Sequence, residues 1–368
     1  MRLLFVSSTT VGGSGRSQRE LAAQLVDAGH QVTFLVDDET PSRLRRWAYE
    51  QLSDLAVRVG DRPGGRVVRA LERLPGRQTG TLTLDGVVHV TTPVPQNALT
   101  QVIDDLRPHV VVGNSLERLS WRRIRAAAAE RGLPTVLYIR EEDSLGHLVR
   151  GEEPDAVVAN AEALRAAVER RGFACLVVPS VIDVERTRAT STRQTVLAIN
   201  PVESRGGKIV WQVAAALSDI PFVVQESWPL QRTELLSVEQ HVRLQPNVEF
   251  RRAAPPGPEL YADARVLMVP YRVNNRPRVI AEAQANGIPI IAADLPALRE
   301  AVGDGGLLVD LDDIDGWCTA IRSVYEDDEL YEHLTSSAAE HGRRPALDPA
   351  TVARTFAEVV NDVIERGP

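Results

Sequence analysis

Three stretches of this chain set glycine or proline beside cations at a strand-to-helix junction, an arrangement suited to holding phosphate. The richest is Asn200-Pro201-Val202-Glu203-Ser204-Arg205-Gly206-Gly207-Lys208. Arg205 and Lys208 bracket two glycines where a helix should begin, so backbone amides, the positive helix end and two cations converge. A charge-assisted hydrogen bond contributes roughly 1.5–3 kcal/mol, so two would make a good diphosphate site. The pattern G-x-x-x-x-G-K-[ST] is absent, so this is not a Walker loop. Lys208 is the single lysine among 42 basic residues. Lysine supplies a compact point charge where arginine supplies a planar fork.

The second stretch runs from Arg272 to Arg278, polar and cationic, between the apolar run 266–271 and a helical pattern over 279–287. Pro277 suits the first turn of that helix. Glu282 falls within two turns of its start, where a carboxylate can accept both hydroxyls of a ribose. The third stretch, Gly12-Gly13-Ser14-Gly15, follows a strand and opens a helix. It reads either as a tight turn or as a turn whose amides face a phosphate. A dinucleotide fingerprint is broken there, because Gln18 stands where its third glycine belongs.

These stretches need a scaffold, and the apolar pattern supplies one. Short buried-type strands are expected at 2–7, 31–36, 109–113, 135–139, 156–160 and 175–179, alternating with helices. Residues 183–194 are polar and aperiodic and read as a linker. A second series of strands follows at 196–199, 222–225, 248–250, 266–269, 288–292 and 307–309. Strands alternating with helices predict parallel, doubly wound sheets. The expected division is a first domain over 1–185 and a second over 186–349, with a helix near 350–366 packing back on the first. Residues 41–98, arginine-rich and broken by Pro63-Gly64-Gly65 and Pro75-Gly76, are expected to form helices and loops beside the sheet.

Composition narrows the function. The chain has 368 residues, long enough for two cores, and a net charge of −8. That charge gives nucleic-acid binding no global support. No apolar run approaches the ~20 residues of a membrane span, although an arginine-rich helical face leaves room for peripheral membrane contact. Two cysteines in no metal-ligand spacing, and no signal-peptide core, point to a cytoplasmic protein.

The order strand, Asn274-Asn275-Arg276-Pro277-Arg278-Val279-Ile280-Ala281-Glu282, then Asn286-Gly287-Ile288-Pro289 and Leu298…Glu300-Ala301-Val302-Gly303, resembles the family 4 glycosyltransferases of the GT-B fold. The Asn200-Pro201…Arg205-Gly206 loop resembles the Asn-Pro-x-x-x-Lys-Gly loop of one branch. Gly12-Gly13 with Gly29-His30-Gln31-Val32 resembles the family's N-terminal turn and helix. The resemblance touches both halves and leaves 41–98 uncovered.

It implies two Rossmann-like domains facing a central cleft and a nucleoside diphosphate sugar as donor. It also implies retention of configuration, no metal or cofactor, and a small-molecule or lipid-linked acceptor. Arg205 and Lys208 would meet the diphosphate, amides near Arg278 and Val279 would help, and Glu282 would hold the ribose. Gly12 and Gly13 would approach from the other domain. Asn274 stands where the family's first motif glutamate contacts the sugar. Arg140-Glu141 stand where many relatives carry a histidine. Asn114, Arg140 and Glu141 are candidate sugar or acceptor contacts. The altered residue at 274 admits a second reading, a catalytically silent GT-B protein or one coupling a non-sugar unit. A dinucleotide-dependent oxidoreductase is disfavoured by the broken fingerprint.

Overall fold

The computed structural model describes residues 1–9, 12–37, 80–116, 119–228, 230–253 and 257–367. Two sheets, each with its own helices, account for them. The first contains β1 (Arg2–Ser7), β2 (Gln31–Asp37), β3 (Gly80–Leu84), β4 (Val87–Thr92), β5 (Val110–Asn114), β6 (Thr135–Ile139), β7 (Ala156–Ala159) and β8 (Leu176–Val177). Their spatial order is β3-β4-β2-β1-β5-β6-β7-β8, parallel except for β3. The second contains β9 (Thr195–Ile199), β10 (Phe222–Gln225), β11 (Val248–Arg251), β12 (Ala264–Val269), β13 (Ile290–Ala293) and β14 (Gly306–Val309). Its order is β11-β10-β9-β12-β13-β14, the reversal about a central switch point typical of doubly wound sheets. The central strands are continuous apolar runs because helices cover both faces. Val111, Val112, Val136 and Leu137 are buried, as are Leu197, Leu267 and Ile291.

Helices α1 (Gly12–Asp27), α2 (Pro95–Leu106), α3 (Trp121–Ala129) and α4 (Glu162–Arg170) belong to the first sheet. Helices α5 (Gly207–Ala216), α6 (Arg232–Leu244), α7 (Arg278–Ala285), α8 (Pro296–Val302), α9 (Ile314–Glu326) and α10 (Asp328–Gly342) belong to the second. The last helix, α11 (Pro349–Arg366), crosses back. Its stripe Val352, Phe356, Val360 and Val363 is buried in one cluster with Phe5, Phe34 and Tyr138 of the first sheet. Phe356 lies 5.9 Å from both Phe5 and Tyr138, ring to ring.

One expectation needs correction. Residues 80–92 are not helix or loop but a β-hairpin added to the first sheet, with β4 parallel to β2 and β3 at the edge. Asp85 and Gly86 make its two-residue turn, with φ of 49° and 78°. An Asp-Gly pair between alternating residues is a strong hairpin signal, since both positions need positive φ. Of the rest of the expected excursion, 41–79 lies outside the described residues, and 95–98 begin helix α2. Gly12-Gly13-Ser14-Gly15 opens a helix as expected, forming the first turn of α1.

Inside the hairpin, His89 of β4 is fully buried and stacks on Phe34 at 4.7 Å. Its Nδ1 lies 2.9 Å from the Val87 carbonyl, and its Nε2 has no partner among the described residues. Burial holds its pKa below the ordinary 6.5. The unfolded chain therefore binds a proton near pH 6.5 that the fold resists, so this site costs stability as pH falls below that value. Urea unfolding across pH 7 to 5 should show that loss, and His89→Phe should flatten it. An unchanged pH slope in the variant would exclude the assignment.

Candidate active site in the interdomain cleft

A cavity of 780 Å³ opens between the C-terminal ends of the two sheets, the usual ligand position in such folds. The first domain contributes Gly12, Gly13, Arg16 and Ser17 of α1, with Arg140, Glu141, Asn160 and Ser180. The second contributes Arg205, Trp228, Tyr271, Asn275 to Val279, and Glu282. Six arginines line it (16, 19, 140, 205, 276 and 278) against two glutamates (141 and 282), so an anionic ligand is favoured.

Arg205 is set by the turn between β9 and α5. Gly206 takes φ of 71°, and a Cβ there would overlap the Pro270 carbonyl, so only glycine lets this loop lie against the end of β12. The Arg272 amide donates to the Ser204 carbonyl at 3.0 Å and ties the two loops together. The Arg205 guanidinium sits 4.6 Å from the Tyr271 ring and 5.7 Å from that of Trp228. Among the described residues no carboxylate pairs with it. Lys208, expected beside it, is on the exposed face of α5 and outside the cavity wall. One turn of helix carries it past the cleft, so of the two expected cations only Arg205 is on the wall.

Glu282 is 2% exposed and holds a four-charge network across the domains. Arg278 Nε donates to Glu282 Oε1 at 2.8 Å, and its Nη2 to Glu20 Oε1 at 3.0 Å. Arg16 Nε donates to Glu20 Oε1 at 2.9 Å, and its Nη1 lies 3.3 Å from Glu282 Oε1. Each helix thus places an arginine four residues before a glutamate, one face of α1 against one face of α7. Glu282 Oε2 accepts from the Tyr261 hydroxyl at 2.8 Å. Burial, and then the Glu282 carboxylate, push that hydroxyl far above its ordinary pKa, so it stays a donor. Glu20 Oε2 accepts from the Asp183 amide at 2.9 Å. Arg278 also donates to Ser17 Oγ at 3.0 Å. Its side chain therefore spans the cleft, while Val279 lines the wall beside it.

Asn274 requires correction. Its Oδ1 accepts from the Ala297 amide at 2.9 Å, at the start of α8, and it is not on the cavity wall. Its neighbour Asn275 is on the wall, 7% exposed, with its Oδ1 buried and unpartnered among the described residues. Counting eight residues back from Glu282 selects 274, but the tight turn in which the Asn275 amide donates to the Val273 carbonyl presents 275 instead. Asn114 is also corrected. It is fully buried at the end of β5, off the cavity wall, bonded to Ser115 Oγ at 3.2 Å. Arg140 and Glu141 do line the cleft. Arg140 Nη2 donates to Ser180 Oγ at 2.7 Å, and its guanidinium lies 5.4 Å from the Tyr138 ring. Burial, more than any neighbouring charge, lowers its pKa, yet arginine stays charged.

Sequence reading missed Arg16, Glu20, Tyr261 and Asn275. The repeated Arg-x-x-x-Glu spacing at 16–20 and 278–282 was the available signal for the first two.

The family model for a glycosyl transferase 4-like domain matches residues 12–202, and that for glycosyl transferases group 1 matches residues 211–327. The chain belongs to the family 4 glycosyltransferases. Among relatives of this glycosyltransferase-family chain, a D-inositol 3-phosphate glycosyltransferase from Corynebacterium kroppenstedtii is 31% identical over 140 residues, 37% of this chain and 31% of the relative. A phosphatidyl-myo-inositol mannosyltransferase from Mycolicibacterium smegmatis is 40% identical over 68 residues, 18% of each chain. The first of these matches thus spans about a third of the relative's length. Over whole chains the fold is shared with Anabaena HepE solved with UDP and glucose, at TM-score 0.72 and 15% identity, covering 98% of this chain and 99% of that one. Sucrose-phosphate synthase from Thermosynechococcus elongatus gives TM-score 0.74 and 13% identity, covering 100% of both. These likenesses establish the GT-B fold for this family 4 chain. No helix of the described residues is long and apolar enough to cross a membrane.

Proposed function

We propose that the chain moves a glycosyl group from a nucleoside diphosphate sugar to a hydroxyl of a small-molecule or lipid-linked acceptor, with retention and without a metal. The observation that carries this reading is Arg205, a cation without a carboxylate partner among the described residues, in a cleft with six arginines and two glutamates. The bond from the anomeric carbon to the diphosphate breaks, the bond to the acceptor oxygen forms, and the acceptor proton passes to the leaving diphosphate oxygen. Negative charge grows on the leaving diphosphate, where Arg205 and the start of α1 stabilise it. Glu282 orients the ribose, and Asn275 Oδ1 accepts from a hydroxyl of the donor sugar. Arg140, charged and buried on the first-domain wall, suits an acceptor with a negative group. The inositol 3-phosphate in a relative's name fits that preference.

A panel of nucleoside diphosphate sugars screened by thermal shift tests the donor. A true donor at ~100 Kd adds about 2.7 kcal/mol to stability. Within the same assay, Asn275→Ala should weaken the sugar nucleotide about fivefold and leave the bare nucleotide diphosphate unchanged, since one neutral hydrogen bond contributes ~1 kcal/mol. No binding across the panel would overturn the reading. Binding without transfer or donor hydrolysis would leave the silent-protein alternative in its place.

A further inference from the structure

A second cavity, of 340 Å³, lies behind the cleft at the hinge. Its walls come from the segment leaving the first domain (Ser180 to Glu185), from α7, and from the segment crossing back (Gly342 to Pro349). We infer that this cavity is a second anion site, taking a small phosphate or phosphate monoester. Arg344 lines it, and its Nη2 is buried without a partner among the described residues. Arg276 lines it too and makes no hydrogen bond among the described residues; its nearest carboxylate, Glu300, is 3.5 Å away. Glu300 is already committed, accepting from the Glu162 amide at the start of α4 at 2.8 Å.

The acids on the wall are committed as well. Asp183 accepts from Arg186 at 3.0 Å, Glu185 from Arg188 at 2.7 Å, and Asp348 from the Thr351 amide at 2.8 Å. Three arginines, 276, 343 and 344, therefore line the cavity, and among them only Arg276 pairs with Glu300, at 3.5 Å. Burial, and then Arg276, depress the Arg344 pKa, while Glu300 raises it. Ile280, Ala281 and Leu347 give the remaining wall an apolar side for the carbon part of an ester. Arg276 also lines the donor cleft, so an occupant here would bear on the domain angle and on the cleft together.

The test is calorimetric titration of inorganic phosphate and of glycerol 3-phosphate into the full chain carrying Arg205→Ala, which removes one of the cleft's own phosphate contacts. Binding on the order of 1 mM is expected. Adding Arg344→Gln should weaken it roughly tenfold, the loss of one charge-assisted bond, while Arg344→Lys should retain most of it. Ala281→Met fills the cavity from α7 without altering a charge and should weaken binding comparably. Tighter binding of the ester would assign the site to a metabolite, and equal binding to free phosphate. No heat up to about 20 mM, or titrations unchanged by both Arg344→Gln and Ala281→Met, would overturn the site. Neither result bears on the transferase reading, because the parent already lacks Arg205.

Discussion

Arg205→Ala should lower glycosyl transfer by about 10²–10³-fold while the protein stays folded. Arg205 contributes little to the fold, since its described partners are the rings of Tyr271 and Trp228. Losing such contacts costs about 0.5–1 kcal/mol, a Tm decrease of about 2–3 °C for a domain of this size. Its proposed charge stabilisation, by contrast, is largest when the leaving diphosphate carries most negative charge. The effect should appear mainly in kcat, with a smaller change in nucleotide affinity. Arg205→Lys keeps the charge and loses the fork, so it should recover part of the rate. Transfer at the parent rate by a folded Arg205→Ala protein would remove Arg205 from the chemistry.

Glu282→Ala should be costly in a different way. It removes one of two carboxylates from a buried cluster of two arginines and leaves both on Glu20. Breaking a buried pair by removing one partner costs about 3–5 kcal/mol, chiefly because a charge is left uncompensated. Urea unfolding should report that loss. It should persist at high salt, because screening reaches buried pairs poorly. Donor affinity should fall as well if the carboxylate also meets the ribose. A double-mutant cycle with Arg278→Met separates the two effects: the stability terms should couple by more than about 1 kcal/mol, since the groups touch. A loss under about 1 kcal/mol for the single change would mean that water already reaches the cluster.

The fold was legible because its strands are uninterrupted apolar runs. Each expected strand coincides with one in the structure to within about two residues, as boundary fraying allows, and only the hairpin pair was not expected. The hairpin escaped notice because the arginine and proline content around it dominated the reading, although Asp85-Gly86 announced the turn. The site was legible where backbone geometry dictates residue type, as at Gly206. It was not legible where the decisive fact is which way a side chain points. Asn274 and Asn275 are chemically identical and adjacent, and only the turn decides that one caps α8 while the other faces the cleft. Lys208 lies one helical turn from usefulness for the same reason. Arg16 and Glu20 belong to a partnership with residues some 260 positions away, and no local pattern specifies such a match.

The crossing of α11 has a consequence during synthesis. The apolar face formed by Phe5, Phe34 and Tyr138 is made early, yet its cover, Val352 to Val363, emerges from the ribosome only after the second domain. At about 5–20 residues per second, that face waits many seconds for its cover. A nascent chain halted before residue 349 should therefore be sticky and chaperone-dependent, even though every strand of its first sheet has already been translated.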